Sequence, residues 1–337
     1  MPGFLSWLTF LFNPAQTASS TAAPQRPDLE AVTSCLPSPQ IDGRAQLEMQ
    51  LFCWLLDTDI GGLEAADERE KAVFGEMERR LHDGHIHLPR QPLTLPMLMR
   101  ALSDQNADRK RLEKIILADP AVTSQTLRMA NSPMFRRSEH DIDSVDQAIF
   151  VLGIHGIRSV ISASVMQPML AARNSREAVF ARRVWQWALS CARSAEQIAR
   201  IRGQDGSVWF LLGLLPALSY LTLMRELQRI VLARNLDTAA RPALIHKALA
   251  AHQWALSQLL ATEWNLPPHY LSCLLEAEKL SPRANHSPLA DGLLVGTREV
   301  LAHADQPCLD AESLPGLVDL TPEQLLQLRY TLPLLKG

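Results

Sequence analysis

Phe180, Val184, Trp187, Ala188, Cys191, Ala195 and Ile198 fall at three- and four-residue intervals. That stripe runs for roughly five helical turns, and only a helix with one face in a core makes use of such spacing. The pattern recurs. Ala66, Val73, Phe74, Met77 and Leu81 form one further stripe, Leu112, Ile115 and Ile116 another, and Ile154, Ile157, Ile161, Val165 and Pro168 a third. Ser144-Val-Asp-Gln147 and Thr321-Pro-Glu-Gln324 carry the hydroxyl and the amide of a capping box, the second with proline at the first helical position. No segment alternates apolar and polar residues long enough to make a convincing strand, and no fixed-period repeat is visible. The expected class is all-α, with roughly a dozen helices.

The totals exclude several function classes. With 47% hydrophobic and 20% charged residues in 337, the chain is of the folded kind. A net charge of −3 gives no electrostatic case for a nucleic-acid partner. Cys35, Cys53, Cys191, Cys273 and Cys308 are scattered, odd in number and free of any Cys-x-x-Cys pair. This speaks against a disulfide framework and a zinc knuckle, and a reducing cytoplasm is the expected location. The apolar GFLSWLTFLF at 3–12 is about half the roughly 20 residues that a bilayer span needs. It lacks the basic region and cleavage site of a signal peptide. No transmembrane span is expected; an end that docks on its own domain or frays is the simpler reading, a weak membrane contact by residues 3–12 or a partner-docking helix the sharper one. Residues 13–43, rich in Pro, Ala, Ser and Thr, read as a linker.

One stretch is more specific. In ADPAVTSQTLRMANSPMF (118–135), Asp119-Pro120 ends one helix and starts the next, and Asn131-Ser132-Pro133 stops the second. Asp119 can accept from free amides at that N-terminus, and Asn131 is expected to close the helix in the left-handed conformation. Both are then structural, which leaves Arg128 for partner contact. Downstream, SVDQAIFVLGIHGIRSVI (144–161) places Gly153 and Gly156 where close packing or a helix join is expected. Taken in order, Leu88-Pro89, Asp119-Pro120, Leu127 to Ser132, Ser144-Val-Asp-Gln147-Ala148-Ile149 and Leu152-Gly153 resemble the HDOD domain, a bacterial output module related to the HD superfamily of metal phosphohydrolases. His252 and Trp264-Asn-Leu-Pro267 are similar to that family's later His and Trp-x-Leu-Pro. The resemblance covers 87–285. It implies a helical bundle of HD-superfamily type and a role in bacterial signalling, with helical extensions at 44–86 and 286–337.

HD enzymes hold their metals with histidines and a His-Asp pair on converging helices. By resemblance, the first histidine falls at Trp187, the His-Asp pair at Pro216-Ala217 and a further histidine near Ala277-Glu278, none of which is a ligand set. Pro216 lies in the apolar run LLGLLPALSY (211–220), where it implies that the helix ends or bends. Elsewhere His82-Asp83 reads as the basic end of a helix stopped by Gly84, and His140-Asp141 as a polar loop. His252, on the stripe Ile245, Ala248, Leu249, Leu256 and Leu259, reads as a hydrogen-bonded core residue, and His155 as a packing or capping one. The arginines at 173, 176, 182, 183, 193, 200 and 202 offer an anion-binding face, or more simply a solvated face balanced by Glu177 and Glu196.

The expectation is therefore a protein without catalysis, metal or cofactor, regulating through contacts with other signalling proteins such as kinases or cyclic-di-GMP enzymes. The alternatives are a cyclic-dinucleotide sensor using the old cavity and, more remotely, a surviving phosphohydrolase.

Overall fold

In the computed structural model the described residues are 43–331, without 65–67, 104–108, 134, 137–138, 235–240 and 279–285. The expectations for 1–12 and for most of the linker lie outside them; Gly43, placed at the linker's end, already opens the first helix. Among the described residues every regular element is a helix. The order is α1 (Gly43–Leu56), α2 (Ile60–Glu64), α3 (Glu68–His82), α4 (Leu95–Ser103), α5 (Arg109–Leu117), α6 (Pro120–Ala130) and α7 (Val145–Met166). A 3-10 turn (Gln167–Leu170) leads into α8 (Ser175–Ile201), followed by α9 (Gly206–Ala233), α10 (Pro242–Glu263), α11 (Pro268–Glu278) and α12 (Pro288–His303). A second 3-10 turn (Ala311–Gly316) precedes α13 (Pro322–Thr331).

The helices begin where their side chains can take up free amides. The Asp119 carboxylate accepts from the Ala121 N–H at 2.8 Å, Ser144 Oγ from Gln147 at 3.2 Å and Asn174 Oδ1 from Glu177 at 3.0 Å. Thr321 and Gln324 complete a reciprocal capping box, at 3.2 and 2.9 Å. At Ser144 the box is displaced: Gln147 Oε1 accepts from the Asp143 N–H, one residue before the cap. Gly84 and Gly203, at φ +70° and +72°, follow the ends of α3 and α8 in the left-handed region that glycine adopts freely.

The centre of the bundle is α8, whose Ala192 side receives α9 and whose Cys191–Ala195 side receives α12. The approach is close enough to exclude side chains. A Cβ at Gly213 would stand 2.5 Å from Ala192 Cα, and one at Gly296 would stand 2.4 Å from Cys191 Cα. Helix α12 is thus no appendage, and its Leu289, Val300 and Leu301 belong to the main core with Phe52 of α1. A smaller cluster joins Ile198 and Val295 to Leu325 and Leu328 of α13.

Two readings are corrected for tertiary reasons. Pro216 does not end a helix, because α9 continues from Gly206 to Ala233 with Pro216 inside it. A proline in a helix interior costs about 3 kcal/mol. Every residue from Phe210 to Leu227 is buried, and burial of a large apolar side chain stabilises by about 1.5–3 kcal/mol. A few of those side chains outweigh the lost hydrogen bond. Ile154, assigned to an apolar stripe, is 37% exposed. Gly153, at φ +71° and ψ 173°, splits α7 into two helices, so the register before the break does not carry past it. The join expected at this glycine pair is present.

Residues 145–170 and α9 are long and apolar enough to cross a bilayer, yet 72% and 94% of their apolar windows are buried inside the protein, as in core helices of a bundle. The close approach makes a sharp comparison of glycines. Gly296→Ala is expected to lower stability by about 1–3 kcal/mol through overpacking. Gly75→Ala, where a Cβ meets nothing within 4 Å in the middle of α3, is expected to raise it by about 0.5–1 kcal/mol. Urea midpoints of the two variants move in opposite directions.

Candidate functional site

Two of the positions that resemblance assigns to metal ligands, Trp187 and Pro216-Ala217, lie on neighbouring helices joined by a stacked ring. Trp187 on α8 is buried, and its indole N–H donates to Thr297 Oγ1 of α12 at 2.8 Å. Its ring stacks on Tyr220 of α9, centroids 4.7 Å apart, and Tyr220 stacks in turn on Phe52 of α1 at 6.0 Å. Pro216 and Ala217 lie one turn back on α9, buried, and Ala277 of α11 is buried as well. Burial pushes the Tyr220 phenol well above its ordinary pKa. These residues do not fit a metal ion. An indole nitrogen that donates a hydrogen bond has no lone pair to give, and neither proline nor alanine has a ligating side chain. Among the described residues no group of three or more His, Cys, Asp or Glu could hold a metal ion.

Asp119, Asn131, Ser132 and Trp264 of the family motif are built into the scaffold. Asp119 caps α6 as expected. Asn131 closes that helix by another route: at φ −87° it is right-handed, and its side chain does the work. Asn131 Nδ2 donates to the Leu127 and Ile142 carbonyls at 3.1 and 2.9 Å, while Oδ1 accepts from the Ile142 N–H at 2.8 Å. A two-way amide bridge across eleven residues satisfies more of the backbone than a left-handed turn would. Ser132 Oγ donates to the Met129 carbonyl at 2.7 Å. Trp264, at the end of α10, donates through its indole to the Pro89 carbonyl at 3.0 Å, and Gln91 returns a bond to the Trp264 carbonyl at 2.7 Å. It latches the segment that leads into α4.

His252 is not the hydrogen-bonded core residue expected. It sits at the edge of the core, where α10 faces α3, with its ring 5.5 Å from Phe74 and Nε2 3.8 Å from Glu78. Nε2 is buried, with no hydrogen-bond partner among the described residues. Burial lowers the pKa of the ring, against the pull of Glu78. His82, Asp83, His140, Asp141 and His155 are exposed.

The arginines of α8 form neither a solvated face nor an anion site along most of its length. Arg193 and Arg200 hold the fully buried Glu196 at 2.5 and 2.6 Å, helped by Ser159 Oγ at 2.8 Å. Arg183 pairs with Asp57 at 2.9 Å, and Arg202 with the buried Asp291 at 2.5 Å. The buried Glu177 is taken by Arg225 of α9, which also donates to the Ala171 carbonyl at 2.9 Å. The side chain of Arg176 lies outside the described residues. A buried carboxylate demands a cation beside it, and in α8 that demand outranks display on the surface.

Glu226 of α9 follows the same rule. Burial raises its pKa, but bonds from Arg80 at 2.7 Å, Arg229 at 2.8 Å and His87 at 3.1 Å hold it below the ordinary 4.5. A carboxyl whose folded pKa is depressed stabilises above its unfolded value, and that contribution is lost as pH falls through the folded one. Glu226→Gln is expected to cost about 2 kcal/mol at neutral pH. The gap from the parent should narrow below pH ~4 in urea melts.

Not every arginine is taken up by this internal pairing. Arg128 on α6 and Arg182 on α8 are exposed and form no ion pair among the described residues. They line one cleft of about 510 Å³ between α6, the 3-10 turn and α8, with Gln125, Gln167, Pro168 and Trp185. Arg128 was legible in the motif. Trp185 was overlooked beside the stripe residue Trp187, although a tryptophan three residues from an arginine, off the buried stripe, marks an exposed helix face. For the buried tryptophan, Trp187→His is expected to lose about 2–4 kcal/mol, since imidazole replaces stacked indole and brings a further polar group. An unchanged denaturation midpoint would contradict the packing described.

Comparison with known proteins places this architecture. The HDOD domain family matches residues 88–280. Among solved structures, one from Shewanella amazonensis provisionally named a metal-dependent phosphohydrolase is 16% identical, with a TM-score of 0.57 over 79% of this chain and 99% of that one. A second from the same organism, provisionally named a phosphohydrolase, is 17% identical with a TM-score of 0.53 over 75% and 93%. A protein from Marinobacter aquaeolei, provisionally named a signal transduction protein, is 19% identical with a TM-score of 0.52 over 87% and 64%. At these identities the likeness is one of fold. No curated protein matches. The family match spans more than half of the chain and takes in Asp119-Pro120, Asn131-Ser132 and the capped helix from Ser144, so the chain belongs to the HDOD family.

Proposed function

We propose that this chain is a non-catalytic regulatory protein of bacterial signal transduction, acting in the cytoplasm through contacts with other proteins. One observation carries the reading: Trp187, Pro216 and Ala217, which resemblance places at the ligand positions of the HD superfamily, are packed into the core. Metal-dependent phosphoester hydrolysis needs a cation to activate water and to neutralise the developing charge, and these side chains offer neither ligand nor base. The fold relative named for signal transduction adds support from outside the chain. The cyclic-dinucleotide reading would need room at the same place, which the stacked rings of Trp187, Tyr220 and Phe52 fill.

The test is chemical. Full-length protein purified after growth with added manganese and iron is expected to carry no stoichiometric transition metal and to hydrolyse neither bis(p-nitrophenyl) phosphate nor a cyclic dinucleotide. Stoichiometric metal together with turnover that disappears in His252→Ala would overturn the proposal.

A further inference from the structure

We propose that the cleft between α6 and α8 is a docking site for an acidic peptide segment of a protein partner. Arg128 and Arg182 take its carboxylates, and an apolar side chain lies against Trp185. The inference rests on the non-catalytic reading and adds to it where, and to what chemistry, the protein binds.

Charge complementarity is the first argument. The chain carries a net −3, yet the cleft is lined by two arginines and no carboxylate. Other arginines on α8 and beside it are satisfied internally: Arg183 by Asp57, Arg193 and Arg200 by Glu196, Arg202 by Asp291, Arg225 by Glu177. Arg128 and Arg182 have no such partner among the described residues and stand exposed at the rim. The surroundings reinforce the sign. Arg173, next to the lining residue Ala172, has its pKa lowered by Arg225, by burial and by Arg229 against the opposing pull of Glu177, so the cations outweigh the carboxylate there. An oxyanion entering here gains a planar guanidinium on each side, the geometry that arginine offers carboxylates.

Shape and rigidity make the second argument. Half-buried Trp185, with Pro168 and Leu170, gives the cleft an apolar wall beside its cations. Tryptophan and arginine are the residues that dominate binding energy at protein interfaces. The wall is held from within. Arg225 donates to the Met169 and Ala171 carbonyls on either side of Leu170, and Gln125 is bonded to Gln167 across the opening. A site ordered before its ligand arrives loses less on binding.

A peptide is favoured over a nucleotide by the adjacent helix terminus. Phosphate sites draw on free amides at a helix N-terminus. Beside this cleft the first turn of α8 is already occupied, since Asn174 Oδ1 accepts from the Glu177 N–H and the buried Glu177 carboxylate lies in that turn.

The experiment follows the indole N–H signals of 15N-labelled full-length protein, with Trp185 assigned through Trp185→Phe. Three probes are titrated to about 5 mM: the capped peptide Glu-Glu-Leu-Glu-Glu, its counterpart Lys-Lys-Leu-Lys-Lys, and AMP. The acidic peptide alone is expected to move the Trp185 signal saturably, with affinity falling several-fold between about 50 and 200 mM salt. The double variant Arg128→Ala/Arg182→Ala is expected to weaken it by about tenfold or more, leaving the Trp187 signal and the melting curve in place. The proposal is overturned by an unmoved Trp185 signal, by equal binding in the double variant, or by a response to AMP in place of the peptide. Each of these leaves the non-catalytic reading standing, because that reading is decided by metal content and turnover.

Discussion

Two helices touch the backbone of a third, and the rest of the bundle follows from that contact. Gly213, Gly292 and Gly296 bring α9 and α12 against Ala192, Ala195 and Cys191 of α8 with no side chain between them. Such proximity maximises dispersion contacts, each small and together large. It also sets what else can fit. With α12 so near, Thr297 reaches the indole of Trp187; with α9 so near, Tyr220 can stack on the same ring. The positions that resemblance would give to an HD enzyme's metal ligands, Trp187 and Pro216-Ala217, thus lie where three helices are drawn into apolar contact.

The polar interior obeys a matching constraint. Glu177, Glu196, Glu226 and Asp291 are almost fully buried, and each is met by at least one arginine. Removing either member of such a pair leaves a charge without compensation, which is why these pairs hold their geometry. They also join distant parts of the chain: Arg80 of α3 with Glu226 of α9, Arg202 after α8 with Asp291 of α12. Helices that touch through glycines are pinned in rotation by these bonds.

What could be read from the sequence was local. The stripe from Phe180 to Ile198, the caps at Asp119, Ser144 and Thr321, and the stops at Gly84 and Asn131 depend on neighbours within a turn or two, and the chain states them directly. Pro216 could not be judged that way, because its tolerance depends on burial supplied by helices far away in sequence. Ile154 was misplaced because a single glycine torsion resets the helical phase. Asn131 was placed correctly at a helix end but given the wrong conformation, since its partner Ile142 belongs to the following segment. The arginines of α8 looked like a surface feature because the carboxylate partners of Arg183 and Arg202 lie outside that helix. The cleft had one legible member, Arg128; Arg182 and Trp185 join it only when α6 and α8 are set side by side.

Arg225 has a consequence for timing. It stands in the buried part of α9, yet it holds the carbonyls of the cleft wall, so the wall becomes ordered when the protein folds and not when a ligand arrives. The two rim arginines are different: exposed and without an ion pair among the described residues, they keep their rotamer freedom, and on the proposed docking their ordering is deferred to the encounter. A rigid wall with mobile charged edges captures quickly, because long-range attraction accelerates approach. It also releases quickly, because each visit must immobilise the edges anew. Such a surface is suited to brief, repeated contacts whose frequency tracks the partner's concentration.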